Sequence, residues 1–306
     1  MADYSVFLGI LHLAVAVPSL ILTLMVTLII ATSKDLFKWL SYKIMLQFNV
    51  CALLHTVSHV GVGIALLAEI DCKTDFGKAL GGLLHVSWFG IIFLNLLLCL
   101  ERLNVTLFKN YVQLSSTTFM VISCVAWLPG LVTCTVDLTP YIDVFFNPEI
   151  AQWDFSGPIT EVFLIVAEII TYVLLPTTFC LYVVIFVFLV KQRGHMMTGH
   201  STQRKTQERS VLYSSTLMFF YPLAEEIIYF ALRKSNLQGF WVGVCAHIMW
   251  ISLPLYCQIV LLVFNRSIRL KLKMRVRNVL GKNTTVKVSN SQGTHSLAIP
   301  RTEGRF

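Results

Sequence analysis

The sequence predicts an all-α membrane protein: a seven-transmembrane helix bundle with its N-terminus outside and its C-terminus cytoplasmic. Three observations predict it. Only 13% of the 306 residues are charged and 56% are hydrophobic, whereas soluble domains carry roughly 25% charged residues. Seven apolar stretches each reach the roughly 20 residues that a helix needs to cross a hydrocarbon core of about 30 Å. The basic residues lie between those stretches, with 20 of the 24 on one side of the implied membrane.

The stretches run over residues 5–33, 40–68, 77–104, 115–137, 158–190, 208–232 and 239–264. Helices are required there because lipid offers backbone N–H and C=O groups no partner. The first follows only Met1, Ala2, Asp3 and Tyr4, with no basic leader or clear small-residue cleavage site, and reads as a retained signal anchor. The fifth is long enough to tilt or to extend past the bilayer.

Charge sets the orientation. Lys34, Lys38 and Lys43 follow span one, and Arg102 and Lys109 follow span three. Lys191, Arg193, Arg204, Lys205 and Arg209 precede span six, and ten more lie between Arg266 and Arg305. The opposite side has Lys73, Lys78, Arg233 and Lys234, and the long loop at 138–157 has no basic residue. Cytoplasmic loops carry the Lys/Arg excess, so the C-terminus is inside and an odd number of spans puts the N-terminus outside. The net charge of +8 is thereby an orientation signal, and no nucleic-acid partner is expected. The sequons at Asn104, Asn265 and Asn283 all fall on the inner side and read as chance matches.

Six of the eight cysteines (Cys51, Cys99, Cys124, Cys180, Cys245 and Cys257) fall within apolar spans, where the side chain behaves as a small hydrophobe. Cys72 and Cys134 lie near the expected outer surface, and whether they pair is open. The bundle with a short amphipathic cytoplasmic helix at about 265–280 forms one domain, residues 1–282. The tail at 283–306 is too poor in apolar residues to fold alone and is expected to be a disordered cytoplasmic segment.

Ionisable residues inside spans face the bundle interior or a water-filled cavity, because a charge at the bilayer centre costs about 2.5–3.5 kcal/mol on insertion scales. Such residues are His55 and His59 in span two, His85 in span three, Glu161 and Glu168 in span five, Glu225 and Glu226 in span six and His247 in span seven. Counting helical rise, His85, Glu168, Glu225 and His247 converge about two to three turns below the outer surface. Trp88, Tyr229, Trp250 and Tyr256 could wall that level. The expected ligand-binding set is therefore His85, Trp88, Glu168, Glu225, His247 and Trp250, taking a small, mostly apolar molecule with a polar or cationic group oriented by Glu168 or Glu225. Mutual Glu and His pairing as structural glue is the plainer alternative. His55 and His59 share a helical face at a spacing that can bind metal; packed histidines are commoner, so no metal ligand and no cofactor is expected.

Local motifs carry a resemblance. Leu100-Glu101-Arg102-Leu103 ends span three; Trp127 and Pro129 lie in span four and Pro176 in span five; Phe219-Phe220-Tyr221-Pro222 lies in span six; Phe264-Asn265-Arg266-Ser267-Ile268-Arg269 follows span seven. Together they resemble the rhodopsin-like G-protein-coupled receptors. Tyr42-Lys43-Ile44-Met45, Gly81 before Trp88, and the Asn265–Arg269 junction resemble the nematode serpentine chemoreceptors of class T in particular. The chain departs from the superfamily pattern in lacking an Asp in span two, an Asn-Pro-x-x-Tyr in span seven and the usual Cys at the top of span three.

The resemblance implies a chemosensory receptor that binds an external small molecule of the odorant or pheromone class and activates a heterotrimeric G protein. It implies no catalysis and a multi-pass plasma-membrane location, with the sensory cilium a candidate compartment. It also implies a switch made of Glu101, Arg102, Phe220 and Pro222, in which Glu101 holds Arg102 at rest and span six hinges at Pro222. Glu208 is a second candidate resting partner, and a snorkelling Arg102 is the bland alternative. An intramembrane metal-dependent hydrolase or a transporter would be the competing classes, but no Ser/Asp/His set accompanies the histidines and no internal repeat is seen. Without a Lys in span seven, an opsin is not expected.

Overall fold

The computed structural model describes residues 2–107, 115–193, 202–235 and 239–279. The tail at 283–306, Lys109 and the side chain of Glu208 lie outside the described residues. Seven helices long and apolar enough to cross a membrane are present: Ala2–Thr32, Leu40–Leu67, Asp75–Thr106, a fourth in two pieces, Thr160–Arg193, Thr202–Lys234 and Phe240–Phe264. They are called spans one to seven below. The protein is a seven-transmembrane helical bundle.

Span three is the central column. It packs against spans two, four and five and also touches span six, while span one closes the ring by lying against spans two and seven. The outward faces remain apolar: Ile21, Val132, Val162, Phe186 and Ile227 are all exposed. Large apolar side chains at this density on every outer face fit a lipid solvent and would be untenable in water.

Proline shapes several spans. Span four is divided into Ser116–Val125 and Leu128–Asp137, with Pro129 in the first turn of the second piece. A proline there has no N–H to give to the preceding turn, so the break falls at Ala126 and Trp127. Pro18, Pro176, Pro222 and Pro254 sit inside helices that continue past them, as membrane helices tolerate.

Polar side chains tie the spans together. Trp127 donates from Nε1 to Gln47 Oε1 at 3.1 Å, and Gln47 donates to Ser123 Oγ at 2.8 Å. Gln258 donates to Asn49 at 3.0 Å, joining spans seven and two. Interhelical bonds of this kind in membranes average about 0.6 kcal/mol, so they set register more than they supply stability.

A short helix, Arg266–Val279, follows span seven. Asn265 makes the corner: its side-chain oxygen accepts from Tyr42 Oη at 2.9 Å and from the Ile268 N–H at 3.3 Å. Ile268 is fully buried on the bundle while Leu270, Met274 and Val276 stay exposed among basic residues, the build of a helix that lies in a membrane interface. Lys271 pairs with Asp35 at 2.9 Å, and that hydrogen bond and charge hold the Asp35 carboxyl below its ordinary value of 3.8. The lowered value means this contact is complete above the ordinary carboxylate range and is lost as pH falls through and below it. A fluorophore on the helix is expected to report constant docking near neutral pH and loosening only in strong acid.

The loop at 138–157 contains a feature that the all-helical expectation lacked. Asp143–Asn147 (β1) and Gln152–Ser156 (β2) pair antiparallel, with Val144 opposite Phe155 and Phe146 opposite Trp153. The turn between them is closed by Asn147, whose Oδ1 accepts from the Glu149 N–H at 3.0 Å, and by Ala151 at a φ of 53°. Alternation along strands with period two puts Val144, Phe146, Trp153 and Phe155 on the face turned to the helices. On the other face Lys73 lies over the Phe145 ring at 5.0 Å, and Lys78 pairs with Asp143. The hairpin covers one end of the bundle; the other end carries most of the basic residues among those described.

All eight cysteines are free. Cys72 is buried beneath the hairpin, where burial and the neighbouring Asp71 charge raise its thiol pKa, and Cys134 packs against Gly82 of span three.

Candidate ligand cavity and switch

Beneath the hairpin lies a cavity of about 170 Å³, slightly larger than the roughly 150 Å³ that holds a benzene ring in a protein interior. Spans three, five, six and seven and both strands line it. Its wall includes His85 and Trp88 of span three, Glu168 of span five and His247 and Trp250 of span seven, five of the six residues expected from the sequence. Glu225 is not part of that wall. Its neighbour Glu226 is, one position around the helix, together with Tyr229. Glu225 instead points into the bundle, buried, with neither carboxyl oxygen bonded to a protein partner among the described residues.

Trp88 and Trp250 stack with ring centroids 4.7 Å apart, so two spans share one aromatic surface. His85 donates from Nδ1 to Asp137 Oδ2 at 2.6 Å, and its ring stacks on Phe155 of β2 at 5.6 Å. That bond fixes the tautomer and leaves Nε2 as the nitrogen able to meet a ligand. Asp137, at the end of span four, is fully buried; its role was invisible without knowing that span four ends beside His85. Tyr256 lies away from this wall, stacked on Tyr221 at 4.5 Å.

A chain of four histidines runs beside the cavity. His55 is held by Ser87 at 3.1 Å and by the Trp250 carbonyl at 3.0 Å, and its Nε2 lies 3.2 Å from His59 Nε2. His12 of span one and His247 bring their Nε2 atoms within 3.0 Å. His12 is absent from the set expected from the sequence, although it lies within the first apolar stretch and the rule that ionisable residues in spans face the interior applies to it equally.

At the basic end, Glu101 and Arg102 form a buried pair, each about 5% exposed. Arg102 donates from Nε to Glu101 Oε2 at 2.5 Å and from an η nitrogen to Oε1 at 2.7 Å. Ser41 of span two donates to both carboxylate oxygens at 3.1 Å, and Arg102 also contacts the Ser41 hydroxyl. The guanidinium is thus turned into the bundle and satisfied there, away from the headgroups that a snorkelling side chain would reach. In span six Phe219 is fully buried against Tyr182 at 5.4 Å, whereas Phe220 is 42% exposed and meets Phe179 of span five. Tyr221 bonds Ser252 at 2.6 Å one residue before Pro222.

Seven spans, a cavity near one end and a buried acid–arginine pair near the other, joined by a single helix, define a receptor-type membrane bundle. The chain belongs to the serpentine type seven-transmembrane GPCR chemoreceptor family Srt, whose family model matches residues 2–285. No curated protein matches the chain.

Proposed function

We propose that this chemoreceptor binds an external small molecule of the odorant or pheromone class in the cavity beneath the hairpin and relays it to a heterotrimeric G protein at the basic end. In this reading the hairpin end and the N-terminus face outside, the basic end faces the cytosol, and the protein works in the plasma membrane. The observation that carries it is span three. His85 and Trp88 line the cavity and Glu101 and Arg102 form the buried pair, 16 and 17 residues on from His85 along one helix, or roughly 25 Å at 1.5 Å per residue.

The cavity wall is aromatic with a few polar groups, the usual build of a small-molecule site. Glu168, Glu226 and His85 would orient a polar or cationic group, and the Trp88–Trp250 surface would take the apolar body. Ligand binding shifts the bundle only by its differential affinity for two states; moving a population from 1:99 to 99:1 needs about 5.5 kcal/mol. Release of Arg102 from Glu101 and Ser41, with rotation of span six at Pro222, would be the movement read by the G protein.

The test is a panel of small, mostly apolar molecules applied to cells carrying the receptor and a G-protein activation reporter. An active compound is expected to lose at least about tenfold in potency, or 1.4 kcal/mol, in Glu168→Gln and in Trp88→Ala. A response unchanged in both variants at equal surface expression would put the ligand elsewhere.

A further inference from the structure

Three of the four histidines form a geometry that ligand binding does not require. His12 of span one, His59 of span two and His247 of span seven each offer one ring nitrogen within 4.8 Å of the other two. All three side chains are buried, none more than 4% exposed. The separation of 3.0 Å between the Nε2 atoms of His12 and His247 is close to the roughly 3.3 Å between two imidazole nitrogens on a tetrahedral zinc with bonds of about 2.0–2.1 Å. We propose that His12, His59 and His247 are a binding site for a divalent transition-metal ion of the zinc type, clasping spans one, two and seven beside the ligand cavity.

The surroundings of each ring fit that role. His12 donates its Nδ1–H to the His59 carbonyl at 3.2 Å, which fixes its tautomer and turns an Nε2 lone pair toward His247. Metal-ligating histidines characteristically give their second nitrogen to such an acceptor. His59 has Nε2 engaged with His55, itself anchored by Ser87 and the Trp250 carbonyl, and its Nδ1 has no hydrogen-bond partner among the described residues. Hydrogen bonding within the cluster therefore leaves a buried nitrogen unsatisfied, and buried polar atoms are normally paired. An ion at the triad would use it.

The donor set selects the ion. Three imidazoles without carboxylate or carbonyl donors suit zinc, copper, nickel or cobalt and exclude magnesium and calcium. Three protein ligands leave a fourth position for water or another donor. Access and charge also agree. His247 belongs to the cavity wall as well as to the triad. Phe146 of β1 packs against His12 at 5.1 Å and His247 at 4.8 Å, and the same ring lines a second cavity of about 350 Å³ together with Glu69 and Asp71. Glu69 and Asp71 outnumber Lys73 in that cavity's wall, a balance that favours entry of a cation.

The experiment uses the full-length receptor in lipid nanodiscs, stripped with chelator and titrated with zinc and then with cobalt. One equivalent of zinc is expected to bind saturably and raise the thermal midpoint, and cobalt is expected to show the visible bands of a four-coordinate, nitrogen-rich site. His12→Gln and His247→Gln should each weaken binding by at least about tenfold, the floor reached even when a group that merely orients a ligand is removed. His12→Cys, which keeps a donor, should retain the ion, and His85→Gln should bind as the unaltered chain does. Absence of saturable zinc binding by the unaltered receptor overturns the proposal, as does binding by both Gln variants equal to that of the unaltered receptor. If one Gln variant fails to fold, the other and His12→Cys still decide, and because the readout is the metal itself, failure leaves the ligand reading standing.

Discussion

Replacing Arg102 with alanine is expected to silence G-protein activation, and replacing Glu101 with glutamine is expected to raise activity without ligand. Both follow from the buried cluster at the basic end, where Glu101 accepts two bonds from Arg102 and one on each oxygen from Ser41. Removing one member of a buried ion pair costs about 3–5 kcal/mol, because the other charge is left uncompensated. Arg102→Ala alone should therefore lower the thermal midpoint as well as the signal. The double variant Arg102→Ala with Glu101→Gln separates the two effects. It should recover most of the lost stability, since no charge is stranded, yet stay silent. Recovery of signalling in the double variant would mean that Arg102 serves packing alone. In Glu101→Gln the guanidinium loses its counter-charge and the resting arrangement loses stability relative to the active one, so basal reporter output should rise several-fold at equal surface expression. Basal output that stays at the unaltered level would remove Glu101 from the switch.

Gly243→Ala is expected to reduce ligand potency by at least about tenfold, or 1.4 kcal/mol, with the coupling machinery intact. A Cβ at Gly243 would stand 1.9 Å from the Ile150 carbonyl oxygen in the hairpin turn. That atom belongs to backbone, so no side-chain rotation relieves the clash and either the turn or span seven must move. The hairpin contributes Val144, Gln152, Trp153 and Phe155 to the cavity wall, and Gly243 lies one turn from His247 on the same helix. Displacing the turn thus opens the cavity roof while leaving Glu101, Arg102 and Ser41 untouched. Concentration–response curves in reporter cells check this: potency should fall while the maximal response, at matched surface expression, is retained. Unchanged potency would show that the hairpin does not close the site.

Several parts of this arrangement could be read directly along the chain. The spans were legible because membrane burial is a local property: about twenty apolar residues in a row announce themselves without reference to anything else. Glu101 next to Arg102 was legible for a similar reason, being adjacent in sequence. Trp88 and Trp250, or His85 and Glu168, could be set at one level because helical rise converts residue number into depth. Depth is only one coordinate. Rotation about each helix axis decides which of two consecutive residues meets the interior, and for Glu225 and Glu226 counting from the outer surface did not resolve it. Phe219 and Phe220 divide the same way, one packed inside and one facing span five at the lipid boundary.

The hairpin was within reach of a sequence reading. Val144, Phe145 and Phe146, then Trp153 and Phe155, flank the Asn147-Pro148 turn signal with strand-forming residues. With no basic residue, the loop reads first as a plain outer connection between long helices.

Hydropathy and charge along the chain establish that lipid is its solvent and that it crosses that solvent seven times, and its motifs carry the resemblance to one chemoreceptor class. The partners of individual side chains came from helix packing: Ser41 with Glu101, Asp137 with His85, Asn265 with Tyr42, and His12 with His59 and His247. Hydrophobicity and helical periodicity act within a single segment, whereas these contacts depend on helix rotation and packing between segments as much as 235 residues apart.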